Sequence, residues 1–191
     1  MRCETLWIDG IDVGLRLLTP AAFGDARGFF SERWRAADEG LLGGGVNFVQ
    51  DNYSRSAFGV LRGLHFQYAE PQSKLVTVTR GAVFDVAVDI RRDSPTFGRW
   101  AGVELSGDLP QWLWIPAGFA HGFLVTSAEG ADFWYKVDAS YNAAGEGSIR
   151  WDDPEIGVAW PSLHDGAVQP QVSGRDAQAP SLAAYRDQPR F

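Results

Sequence analysis

Ala82-Val-Phe-Asp-Val-Ala-Val-Asp-Ile90 is the stretch on which the fold turns. Alternation through it puts Phe84, Val86, Val88 and Ile90 on one face and Val83, Asp85, Ala87 and Asp89 on the other, the period of a β-strand. With the even-numbered face in a core, the odd face either lines a barrel interior or meets solvent. Asp85 is then either a solvated carboxylate or part of an internal cavity, and the interior of a small barrel is a common place for one small ligand.

Outward from this strand the chain keeps the same rhythm. Strands are expected at 13–18, 46–50, 60–67, 74–80, 100–105, 111–115, 122–126 and 131–137. Between them stand turn sequences such as Arg80-Gly81, Asp93-Ser-Pro95, Ser106-Gly-Asp108 and Pro116-Ala-Gly118. Short strands at this spacing indicate an antiparallel sandwich or barrel. One helix is expected over 31–42, capped by Ser31 and ended by Gly43-Gly-Gly45. After Trp160 the periodicity fades and Pro, Gln and Ala accumulate. The segment 161–191 is therefore read as loop and short helix packed on a barrel of about 13–160, all within one domain of 1–191.

Composition narrows the class. Apolar residues make up 45%, and eight Trp with twelve Phe supply a large core. The single cysteine, Cys3, cannot form an internal disulfide, which fits a reducing cytoplasm. Glu4 and Asp9 interrupt the first ten residues, so no secretory leader is expected there, and no apolar window approaches the ~20 residues that cross a bilayer. A net charge of −7 argues against a nucleic-acid surface, which needs a basic face. An anionic small ligand would instead meet cations concentrated locally, such as Arg27, Arg62 and Lys74.

The polar residues cluster. His65, one of three histidines, falls in Gly59-Val-Leu-Arg-Gly-Leu-His-Phe-Gln67 among apolar neighbours. An imidazole so placed must be desolvated, hydrogen-bonded or used, and one held near cations is suited to general-base work; a core histidine bonded to a carbonyl is the plain alternative. His65, Gln67 and His121 also resemble fragments of a cupin metal site, but the expected His-x-His pair is broken by Gln67, no Glu follows at a suitable distance, and Gln is a poor ligand for a first-row metal. No metal and no other cofactor is expected.

Several ordered runs carry a resemblance. They are Asp25-x-Arg27-Gly28-x-Phe30-x-Glu32, Phe48-Val-Gln50-Asp51-Asn52-x-Ser54, Gly59-Val-Leu-Arg62-Gly-Leu-His65, Lys74-Leu-Val76, Ser94-Pro-Thr-Phe-Gly98, Ile115-Pro-x-Gly-Phe-Ala-His121-Gly-Phe123, Tyr135-Lys136 and Trp151-Asp-Asp-Pro154. Together with Val83–Ile90 they resemble the dTDP-4-dehydrorhamnose 3,5-epimerase family over about residues 13–160, with a weaker echo near Asp176. The resemblance implies a mostly β, cupin-like double-stranded β-helix (jelly roll) with short peripheral helices, acting as a homodimer without metal or cofactor.

It also implies a dTDP-4-keto-6-deoxyhexose substrate, dTDP-4-dehydro-6-deoxyglucose, inverted at the carbons flanking the ketone in dTDP-L-rhamnose or related deoxysugar synthesis. By similarity His65 is the base, Asp176 its carboxylate partner, Lys74 the cation beside the 4-keto oxygen and Tyr135 the acid on the opposite face. Arg27, Phe30, Glu32, Gln50, Asp51, Asn52, Arg62, His121, Glu146 and Arg175 match substrate-binding positions, Phe30 offering stacking area for thymine. The chain departs from the family in carrying Arg175 where Lys is common and Tyr53 where His is often found. Asp85 stands as the alternative partner of His65. An epimerase of C3 or C5 alone, a metal-dependent cupin enzyme and a non-catalytic nucleotide-sugar binder are the rival readings.

Overall fold

In the computed structural model, which describes residues 1–166 and 168–191, both faces of the stretch around Asp85 are buried. In chain order the strands are β1 (Arg2–Ile8), β2 (Ile11–Thr19), β3 (Ala22–Asp25), β4 (Gly28–Ser31), β5 (Gln50–Ser56), β6 (Leu61–Gln67), β7 (Lys74–Arg80), β8 (Ala82–Asp89), β9 (Trp100–Ser106), β10 (Trp112–Ile115), β11 (Phe119–Val125), β12 (Ala131–Val137) and β13 (Glu146–Ser148). Six of them form a sheet in the order β1-β2-β10-β7-β12-β5, and five a second sheet in the order β13-β6-β11-β8-β9. The pairings are antiparallel, and β3–β4 stands apart as a two-stranded hairpin.

The two sheets enclose a core that includes Leu15, Val76, Val83, Ala87, Phe123 and Phe133. The odd-numbered face of β8 thus lines the interior. Its even face meets a second layer, where Val86, Val88 and Ile90 pack against Ile149, Leu182 and Tyr185. That layer is supplied by the tail. The short helices α1 (Gly174–Ala177) and α2 (Leu182–Asp187) begin at Ser173 and Ser181, whose side chains accept from Asp176 N and Ala184 N. Tyr185 donates its hydroxyl to Ile90 O at 3.0 Å, and Asp153 accepts from Leu182 N at 2.9 Å, so α2 is tied at both ends of its buried face. Burying Leu182 and Tyr185 contributes about 1.5–3 kcal/mol each. No helix among the described residues is long and apolar enough to cross a membrane.

Three expectations need correction. Segment 46–50 is not a strand. Val46 and Phe48 lie against Trp112 and Trp114 on the outer face of the six-stranded sheet, so their alternation reflects packing from outside, and the ladder starts at Gln50. The helix over 31–42 shrinks to a 3-10 helix at Ala36–Leu42, without a side-chain cap. Ser31 is instead the end of β4, paired with Ala22 and donating its hydroxyl to Ala21 O. Gly43 does end the helix, at φ 100° in the left-handed region that favours glycine. Finally, the strand expected at 122–126 starts earlier, at Phe119, directly after the turn through Pro116 and Gly118.

Candidate active site

Strand parity aims most of the site. On β7, Val76 and Val78 face the interior, so Lys74 does too; on β12, Phe133 and Tyr135 share the inner face; on β5, Asn52 and Ser54 do. Strand β6 breaks this rule. Arg62 and His65 are three residues apart and would point to opposite faces of a regular strand. Opposite them, His121 pairs with His65 and Phe123 with Arg62, so three steps on β6 match two on β11. The extra residue is a β-bulge at Gly63, which turns both side chains into one cavity. Gly63 has φ 132°, and a Cβ there would sit 2.6 Å from Gly122 Cα. Only glycine fits.

The cavity measures about 290 Å³ and is lined by Asn52, Ser54, Arg62, His65, Lys74, His121, Phe133 and Tyr135 among others. His65 reaches it from the five-stranded sheet, and Lys74 and Tyr135 from the six-stranded sheet opposite. His65 Nε2 lies 2.6 Å from Asp176 Oδ1, and Asp176 is 3% exposed. With the Asp176 carboxylate accepting from Nε2–H, the Nδ1 lone pair is left free. Burial draws the His65 pKa below its ordinary 6.5, against the opposing pull of Asp176, so the ring is a neutral base at pH 7. Asp85 is committed elsewhere: both its oxygens lie 3.0 Å from His121 Nε2, and His121 stacks on Phe133. Each of the two cavity histidines therefore has its own carboxylate.

Lys74 is only partly buried as a residue, but its ammonium is deep in the cavity, 3.4 Å from His65 O. Burial lowers its pKa to about 8, with Asp85 and Glu146 acting in the other direction. Burial also raises the Tyr135 phenol above 10, which keeps it protonated. At the rim, Glu146 Oε2 accepts from Tyr141 Oη at 2.9 Å and from Arg175 Nη1 at 2.8 Å. Burial pushes the Glu146 carboxyl upward, but these two donors outweigh it and hold the pKa below its usual value. Gln50 Nε2 donates to Asn52 Oδ1 at 2.7 Å, and Gln50 Oε1 accepts from Tyr141 N at 3.1 Å.

The structure thus brings together His65, Asp176, Lys74, Tyr135, Arg62, Asn52 and His121, with Gln50, Glu146 and Arg175 linked around the rim. It does not bring in the others. Asp51 is exposed and paired with Lys136 at 2.8 Å. Arg27, Phe30 and Glu32 belong to the β3–β4 hairpin and the residue after it, away from the cavity lining: Arg27 pairs with Asp25, Glu32 with Arg35, and Phe30 is 69% exposed. Ser54 and Phe133, which stand in the same runs as Asn52 and Tyr135, were given no role of their own, and Tyr141 was not singled out from the sequence. Period two from Asn52 and Tyr135 would have found the first two, whereas Tyr141 lies in a loop where no period operates.

The family model described as dTDP-4-dehydrorhamnose 3,5-epimerase matches residues 12–184. The dTDP-4-dehydrorhamnose 3,5-epimerase of Salmonella typhimurium is 53% identical over 168 residues, covering 87% of this chain and 89% of that one. Its namesake from Pseudomonas aeruginosa is 52% identical over 168 residues, covering 87% and 90%. Among solved structures, dTDP-6-deoxy-D-glucose-3,5-epimerase from Legionella pneumophila Philadelphia 1, in complex with dTDP-4-keto-L-rhamnose, superposes with a TM-score of 0.90 at 48% identity, covering 100% of this chain and 98% of that one.

Proposed function

The chain belongs to the dTDP-4-dehydrorhamnose 3,5-epimerase family, and from that premise we propose that its cavity inverts dTDP-4-dehydro-6-deoxyglucose at the two carbons flanking the 4-keto group. The observation that carries this reading is the placement of a neutral imidazole and a protonated phenol on facing sheets across one cavity. His65 Nδ1 removes the proton α to the ketone, and the C–H electrons move into the carbonyl to give an enolate. The Lys74 ammonium stabilises the enolate oxygen. Tyr135 delivers a proton to the opposite face of the same carbon, which restores the ketone with inverted configuration; His65 then releases its proton to solvent and the Tyr135 phenolate takes one up, which resets the pair for the second carbon. Asp176 holds His65 in the tautomer that leaves Nδ1 free. Arg62 and Arg175 serve the pyrophosphate, and His121, fixed by Asp85, the sugar. Every step uses protein side chains, so the reading requires no cofactor.

The homodimer belongs to the same proposal. Phe23, Phe29 and Phe30 on the hairpin are 65%, 68% and 69% exposed, an apolar surface of the kind that marks an interaction site. Arg27, Phe30 and Glu32 act as substrate-binding residues only where the hairpin reaches the cavity of a second copy. Sedimentation of Phe29→Ser/Phe30→Ser protein tests this: a dimer of unchanged affinity would refute the hairpin's part. A free thiol at Cys3 and a nucleotide-sugar substrate suit the cytoplasm.

Incubating substrate with the enzyme in heavy water, with position-resolved NMR of the sugar, tests the reaction itself. Deuterium at both C3 and C5 with inverted configuration is expected. Label at one carbon would make the enzyme a single-carbon epimerase, and no label would leave only a nucleotide-sugar binder.

A further inference from the structure

Gln67 occupies an unusual position for a polar side chain. It is 4% exposed, lies two residues after His65 on β6, and pairs with Glu146 across β13. Its hydrogen-bonding groups are directed at main chain. Nε2 donates to Glu70 O at 2.8 Å and to Ser140 O at 3.0 Å, while Oε1 accepts from Asn142 N at 2.7 Å. Ser140 and Asn142 flank Tyr141. One buried amide therefore clamps the chain on both sides of a residue that is itself 57% exposed at the cavity rim.

The clamp matters because of what Tyr141 touches. Its hydroxyl donates to Glu146, its main-chain N donates to Gln50, and Gln50 in turn donates to Asn52. Arg175 meets Glu146 from the other side, next to Asp176. Gln72 Nε2 to Ala139 O and Ser73 N to Asp138 hold the part before Tyr141, and Tyr68 ties Ala144 and Gly145 after it, but the bonds to Ser140 O and Asn142 N, the residues on either side of Tyr141, come from Gln67. We propose that Gln67 is a positioning residue for substrate capture: it fixes Tyr141, and through Tyr141 it orients Gln50 and Glu146 on the rim. This rests on the reading of Gln50 and Glu146 as substrate-binding residues.

An amide is required because two donors and an acceptor must come from one planar group. Gln67→Glu keeps the shape, but an ionised carboxylate cannot donate to Glu70 O or Ser140 O. Lys74 and Tyr135 stand on β7 and β12, and His65, although on β6 with Gln67, is held by Asp176 and not by the Gln67 side chain. The expected result is a KM raised about tenfold or more, from loss of two hydrogen bonds, with kcat within about twofold of wild type. Lowering the pH protonates the new carboxyl and returns one donor, so KM should recover toward pH 5.5. In a Tyr141→Phe background, which lacks the hydroxyl tie to Glu146 but keeps the main-chain tie to Gln50, Gln67→Glu should add less to KM than it does alone. Should Gln67→Glu not fold, Gln67→Met, of similar volume and without charge, carries the same comparison. An unchanged KM, an equal fall in kcat, or full additivity with Tyr141→Phe would overturn the proposal. Wild-type exchange at C3 and C5, scored separately, tells that outcome apart from failure of the epimerase reading.

Discussion

Lys74→Met should make the protein both less active and more stable. Its ammonium is held at a pKa of about 8 in place of the ordinary 10.5. At about 1.4 kcal/mol per pH unit, this amounts to roughly 3 kcal/mol against the charged form. Solvent entering the open cavity screens the charge, so that figure is a ceiling. The sign follows from proton counting. Between pH 8 and 10.5 the unfolded chain holds a proton that the folded chain has lost, so stability rises with pH across that window, and below pH 8 the full penalty is present. Replacing Lys74 by a neutral side chain of similar length removes the penalty at pH 7. For a chain of this size, at about 2–4 °C per kcal/mol, Tm should rise by several degrees, to a limit of about 10 °C. The same substitution removes the cation beside the developing enolate, and kcat should fall about 10²–10³-fold. Thermal unfolding and steady-state kinetics at pH 7 measure both. Lys74→Arg keeps a charge that does not titrate, so the loss of activity expected of wild type as pH rises through about 8 should be absent from whatever activity it retains. A Lys74→Met protein that loses activity without gaining stability would refute the argument, because the penalty and the catalytic stabilisation have one cause.

The other predictions concern the remaining reacting groups and the bulge. His65→Ala should lower kcat about 10²–10⁴-fold, with Asp176→Asn losing a smaller part of that; a His65→Ala enzyme still exchanging deuterium at the wild-type rate would remove it as the base. Tyr135→Phe should separate exchange from inversion: label from heavy water enters the substrate, while the inverted product fails to accumulate. Gly122→Ala places a Cβ 2.7 Å from Arg62 O and 3.1 Å from Gly63 Cα. Overpacking of this kind costs about 1–3 kcal/mol, so Tm should fall and activity with it; a variant of unchanged Tm and activity would show that the bulge is not needed to aim Arg62 and His65.

Local pattern carried much of the fold. The strands whose residues alternate cleanly and are buried, such as β7, β8 and β12, stand where period two places them. Elements that depend on non-local partners were not legible. β1, the β3–β4 hairpin and β13 have largely exposed or half-buried patterns, so no apolar period marks them. The opposite error at 46–50 has the same origin, because alternation reports burial on one side and says nothing about whether a ladder partner exists.

By itself the sequence pointed to antiparallel strands through short-range period, a local property of the chain, and its ordered runs showed which family it resembles. The choice of His65, Lys74 and Tyr135 as a reactive set came from that resemblance and not from period or residue type. Tertiary structure decided how the set is wired. Asp176 reaches His65 across 111 residues and Asp85 reaches His121 across 36, and nothing in the spacing of four such groups chooses one pairing over the other. The bulge at Gly63 could be recognised only where three residues of β6 lie against two of β11. Register and long-range pairing are set by packing summed over two whole sheets and the tail that covers one of them, so no single stretch contains the answer.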